Sequence, residues 1–183
     1  MVNFHIRENI EKFKIKRNLK KCTTSDIDKF SLDGRIYQCR VADIYDADTI
    51  TVIISMKGEL VKYSVRIWGI DAPEMKPKNS ESEEAKQAEK KAAKRSRNRL
   101  MQLLLNDDSI KLDTDYKRSE IRDICQSTSK IHMLECMEFD KYGRLLGKIK
   151  VKNNNIKEYA HDILVREKFA YSYFGKTKEK IKY

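Results

Sequence analysis

The four cysteines, Cys22, Cys39, Cys125 and Cys136, form no Cys-x-x-Cys pair, and only three histidines accompany them. A structural zinc site needs closely spaced thiolate and imidazole ligands, so that class of small domain is excluded. Cys39 and Cys136 fall in predicted strands, where a thiol serves as a small buried hydrophobe. Free thiols in a reducing compartment are therefore expected. No apolar run approaches the length of a membrane-spanning helix. Residues 1–15 have no uninterrupted apolar core and no small-residue cleavage site, so a signal peptide is not expected. No internal repeat is present. These absences lead to the expectation of an intracellular protein, cytoplasmic or nuclear, with no membrane partner.

The chain has 183 residues, of which 40% are hydrophobic and 37% charged. That length supports one domain with a real core. The charge is high, but clear apolar periodicity argues against disorder. Net charge is +11, with a pI near 9.4. Such a balance favours a polyanionic partner, most often nucleic acid, although a lysine-rich surface alone explains it equally well.

Residues 1–33 form a basic extension in which a short helix is predicted to end near Leu19. From Arg35 to Ile44 the side chains alternate, as do Thr49–Ile54 and Tyr63–Trp68, with Lys57-Gly58-Glu59 as a hairpin turn. A three-stranded antiparallel meander follows from this pattern, with Trp68 and Ile70 packed inside or beside it. Ser80-x-x-Glu83 has the capping-box pattern, and Ala85, Ala88, Ala92, Ser96, Leu100 and Leu103 share one helical face. The charges between Lys86 and Arg99 read as the solvated side of that helix. Asn106-Asp107-Asp108 ends it. Further strands are predicted at Ser109–Leu112, at His132–Phe139 and from Leu145 to Val151. Residues 116–130 read as an inserted hairpin tip or mobile loop that does not contribute to folding. Asn155-x-x-Glu158 is expected to cap a final helix. The pattern gives an α+β or small β-barrel class.

Three motifs carry the chemistry. Asp46-Ala47-Asp48-Thr49 precedes the second strand; Arg66 and then Asp71-Ala72-Pro73-Glu74 follow the third; Asp140-Lys141-Tyr142-Gly143-Arg144 lies in a turn. A hairpin brings Asp48, at the start of one strand, near Asp71, beyond the end of the other. Paired aspartates hold hard cations through oxygen, and a guanidinium fork suits two phosphate oxygens. Taken singly, Asp48, Asp71 and Asp140 are equally well explained as turn formers, and Arg66 and Arg144 as strand-edge ion pairs.

In this order the motifs resemble the staphylococcal nuclease (thermonuclease-like) family, over residues 34–178, leaving 179–183 as a tail. The resemblance implies a five-stranded OB-fold barrel with about three helices. It implies a Ca2+-dependent endonuclease that hydrolyses DNA and possibly RNA, single- or double-stranded, to products ending in 3′-phosphates. One Ca2+ would be held by Asp48, Asp71 and the backbone carbonyl of Ala72, with Asp46 ordering the water on it. Glu74 would activate the attacking water, and Arg66 and Arg144 would grip the phosphate. Lys141 and Tyr142 would contact the terminal phosphate and the sugar-base region. The family usually has glycine where this chain has Ala47. If that turn required positive φ, alanine would cost about 1 kcal/mol. Other readings are a catalytically silent nucleic-acid-binding OB module, which would have lost these acids or arginines, and a protein-interaction barrel, which explains neither acids nor charge.

Overall fold

The computed structural model describes residues 2–77, 82–153 and 156–175. The chain separates into two units, Met1–Ser31 and Leu32–Tyr183. The first holds helix α1 (Val2–Lys21) and a 3-10 turn at Thr24–Asp26. The second contains β1 (Ile36–Ile44), β2 (Thr49–Met56), β3 (Glu59–Ile67), β4 (Ile70–Asp71), α2 (Glu83–Leu105), α3 (Arg118–Ser127), β5 (His132–Phe139), β6 (Leu145–Asn153), β7 (Ile156–Tyr159), α4 (Ala160–Arg166) and β8 (Tyr171–Ser172).

Strand order is β3-β2-β1-β5-β6-β7, and β3 also pairs in parallel with β6. That pairing closes β1, β2, β3, β5 and β6 into a five-stranded barrel, an α+β architecture of the OB type. The period-2 reading holds: Cys39 and Val41 point inward on β1, and Ile50, Val52 and Ile54 on β2. Lys57 and Gly58 take positive φ, as a two-residue hairpin turn requires. Closure depends on Gly147, where an added Cβ would lie 2.9 Å from Leu134 Cδ1 and 3.3 Å from the Glu135 carbonyl. At that point the Trp68 N–H donates to the Gly147 carbonyl at 2.9 Å. Where α2 packs against α4, Arg99 holds Glu167, just beyond α4, through Nε and Nη2 at 2.6 and 2.8 Å.

Several elements differ from the sequence expectation. Helix α2 is capped by Ser82, whose hydroxyl accepts from Ala85 N–H at 3.2 Å. Ser80 lies outside the described residues, as do Asn154, Asn155 and the tail from 176. At the other end Asn106 takes a left-handed conformation and closes the helix, as anticipated. The charged run of α2 is not wholly solvated, since Arg97 is 2% exposed and Asn98 fully buried.

No strand forms at 109–112. Its backbone groups are satisfied by side chains instead. The Asn98 amide donates to the carbonyls of Lys111, Leu112 and Thr114 at 3.2, 2.9 and 2.8 Å. Gln102 donates to the Ile110 carbonyl at 2.6 Å. Residues 118–127 form α3 rather than a mobile loop. Ile121 and Cys125 are fully buried in the core, and Arg118 donates to the Ile44 carbonyl at 2.7 Å and pairs with Asp43. Residues 156–159 form a strand hydrogen-bonded to β6, so the last helix starts only at Ala160. Trp68 sits in the turn after β3, half-buried, edge-on to Phe174 at 5.0 Å.

Candidate active site

The turn between β1 and β2 is built on Asp46. Its Oδ1 accepts from the backbone N–H groups of Asp48 and Thr49 at 3.1 and 2.7 Å. This Asx-type geometry brings Asp48 to the start of β2 at 2% exposure. Ala47 is not among the positive-φ residues, and its methyl group is fully buried. The alanine therefore costs no backbone strain here and adds to the core.

Asp48 is then held from three sides. Thr49 Oγ1 donates to its Oδ1 at 2.9 Å. Arg66 Nη1 pairs with that same oxygen. The Ala72 backbone N–H donates to its Oδ2 at 2.9 Å. Thr49 and Arg66 are cross-strand partners, so the β2–β3 register delivers the arginine to the acid. From the same guanidinium, Nη2 donates to Asp71 Oδ1 at 2.7 Å and to the Ile70 carbonyl at 3.3 Å. Asp71 is positioned by a feature that residue pattern did not reveal. The two-residue strand β4 pairs with β8, with Asp71 opposite Tyr171, so the C-terminal segment braces the acid.

The third motif folds around Asp140. Its Oδ1 accepts from the Tyr142 and Arg144 backbone N–H groups, each at 2.9 Å, and its Oδ2 from Arg144 Nε at 2.7 Å. Partial burial pushes the Asp140 carboxyl up, but these donors outweigh it and hold it below the usual carboxylate range. Tyr142 is 72% exposed, with Lys141 Nζ 5.1 Å and Arg144 Cζ 5.6 Å from its ring centre. Because Val65 pairs with Leu145 across the parallel β3–β6 seam, Arg144 arrives beside the strand that carries Arg66. Burial pushes the Asp46 carboxyl up, opposed by Arg66, the Thr49 hydrogen bonds and Arg144. Asp46, Asp48, Arg66, Asp71 and Ala72 are thus joined by direct contacts, and the charge of Arg144 reaches them. Glu74 is exposed; its backbone N–H donates to Glu89 Oε1 on α2 at 3.3 Å.

Sequence reasoning missed Arg97. It is buried in α2, its Nε and Nη2 directed at Asn98 Oδ1 at 3.3 Å, and burial lowers its pKa against the opposing charges of Asp115 and Asp46. Nothing in the sequence separates it from its charged neighbours.

Among the described residues, no group of three or more His, Cys, Asp or Glu stands in metal-holding geometry. The side chains Asp48 and Asp71 with the Ala72 carbonyl are all oxygen donors, the chemistry of a hard cation. Asp48 and Asp71 both pair with the guanidinium of Arg66, and Asp46 feels the charges of Arg66 and Arg144.

Among the described residues, no helix is long and apolar enough to cross a membrane. No curated protein matches the chain. Residues 64–183, more than half of the chain, match the family model described as staphylococcal nuclease homologue. With the closed barrel and the arrangement of acids and arginines at its rim, that match shows that the chain belongs to the staphylococcal nuclease homologue family.

Proposed function

We propose that this protein is a Ca2+-dependent phosphodiester hydrolase acting on DNA, with RNA as the second candidate substrate. The observation that supports this reading best is Arg66 clasped between Asp48 and Asp71. Half-buried and buried acids grouped around one guanidinium are costly to desolvate, and such clusters concentrate at functional sites.

Asp48, Asp71 and the Ala72 carbonyl would hold the cation, with Asp46 ordering the water around it. A bound hard cation supplies charge neutralisation at the phosphate oxygens. Arg66 has five N–H groups, and its contacts to Asp48, Asp71 and Ile70 leave capacity for a phosphate oxygen. Arg144 is oriented by Asp140 and supplies the second guanidinium. Together they oppose the charge that grows on the phosphate in the transition state. Glu74, stiffened by Pro73, accepts a proton from the attacking water. Lys141 and Tyr142 hold the terminal phosphate and the sugar-base region.

A catalytically silent binding barrel would not need Asp48, Asp71, Glu74 and both arginines together. The test is incubation of pure protein with single-stranded DNA, plasmid and RNA, in Ca2+ or in excess chelator. Cleavage that requires Ca2+ supports the proposal, and retention of full activity in chelator contradicts its metal assignment.

A further inference from the structure

The outward side of β6 continues from Arg144 in a regular ladder. Leu146, Lys148, Lys150 and Lys152 alternate with the inward Leu145, Gly147, Ile149 and Val151. Lys148 Nζ lies 4.5 Å from the centre of the Trp68 ring and 5.9 Å from that of Tyr159. Lys150 Nζ lies 4.8 Å from the Tyr159 ring and 2.7 Å from Glu135 Oε1. Lys152 stands directly across from Lys157 of β7. Like charges opposite each other destabilise a sheet, so stability alone does not account for this pairing. The ladder ends at a hollow of about 690 Å³ lined by Lys130, Lys152 and Lys157 with Ile36, Ile131 and Met133. Those three apolar side chains are 58%, 58% and 39% exposed.

Positive charge alternating with aromatic and apolar faces is the surface a single strand of nucleic acid needs, for phosphates and bases respectively. Successive outward residues of a strand stand ~6.7 Å apart, the scale of one nucleotide step in an unstacked chain. Glu135, shared by Lys150 and the Tyr159 hydroxyl at 2.8 Å, is the carboxylate set within this row.

We propose that the outer face of β6, from Lys148 to Lys152 and on to the hollow beside Lys157, is a track for the single strand that flanks the cleaved bond. The occupant is one strand of DNA or RNA, gripped by charge and stacking with little sequence preference. This rests on the nuclease reading for the direction of the strand, but binding along the track requires no cleavage.

The experiment compares the parent with a Lys148→Gln, Lys150→Gln, Lys152→Gln variant, using oligonucleotides of about 4 and about 16 nucleotides. Anisotropy titrations over a salt series should show the long oligonucleotide bound roughly tenfold more weakly by the variant, with the salt slope smaller by about 2. The short oligonucleotide should bind both proteins alike. As a second reading on the parent, the long but not the short oligonucleotide should shield Lys148, Lys150 and Lys152 from acetylation. Parental affinity and slope in the variant, or no shielding in the parent, overturns the proposal. A parent that binds the long strand along these lysines but never cuts it removes the nuclease reading and keeps the track. A parent that cuts while the variant binds the long strand unchanged does the reverse.

Discussion

The Ala72 backbone N–H donates to Asp48 Oδ2 at 2.9 Å across 24 residues of sequence. This one bond fixes where the acid of the first motif meets the second. It ties the β1–β2 turn to the segment that runs from Asp71 to Glu74, and it occupies one acceptor site on an almost wholly buried carboxylate. The other oxygen, Oδ1, is shared by Thr49 and Arg66, so a cation held by Asp48 would share the carboxylate with that guanidinium.

Asp46 gives the site a pH dependence. Burial raises its folded-state pKa, so the folded protein keeps a proton that the unfolded chain releases. Stability contributed by the protonated form is therefore lost as pH rises from the ordinary carboxylate value through the raised one. Asp46→Asn retains an oxygen for the Asp48 and Thr49 N–H groups and does not titrate. Urea unfolding from pH ~4 upward should show the parent losing stability relative to the variant. Parallel pH profiles would refute the assignment.

Asn98→Ala should destabilise by about 1–3 kcal/mol, because carbonyls at Lys111, Leu112 and Thr114 lose their donor. Amide exchange in residues 109–116 should accelerate more than in the barrel. A change below about 0.5 kcal/mol, typical of a neutral surface substitution, would contradict this role.

Those bonds also mark where the sequence stops being legible. Strand alternation in β1 to β3, the Lys57-Gly58 turn and the Asn106 stop are local signals, and each appears where expected. The meeting of Asp48 with Arg66 has the same local origin, because Thr49 and Arg66 are partners in the hairpin register. The segment 109–112 looks like a strand because its apolar residues alternate. Two amides projecting from α2 nevertheless take its carbonyls, a tertiary event with no local trace. β7 was hidden for a similar reason: Ile156 to Tyr159 has apolar spacing compatible with a helix, and only the neighbouring β6 edge decides otherwise. The brace of β8 on Asp71 is two residues long, too short to leave a periodicity.

The α3 segment carries a direct consequence. Ile121 is fully buried, so Ile121→Ala should cost about 2–5 kcal/mol, as other large-to-small core changes do. Chemical or thermal unfolding measures this. An unchanged midpoint would return residues 116–130 to the dispensable loop that their polar composition predicts.

The central claim is that this rim of acids and arginines hydrolyses phosphodiesters with Glu74 as the base. The most direct measurement is the turnover of Glu74→Gln on single-stranded DNA in Ca2+, beside the parent. The substitution keeps the size of the side chain and removes its ability to take a proton. Turnover should fall about 10²–10⁴-fold, while the melting curve and oligonucleotide affinity stay at parental values. Cleavage by the folded variant at the parental rate would contradict the account.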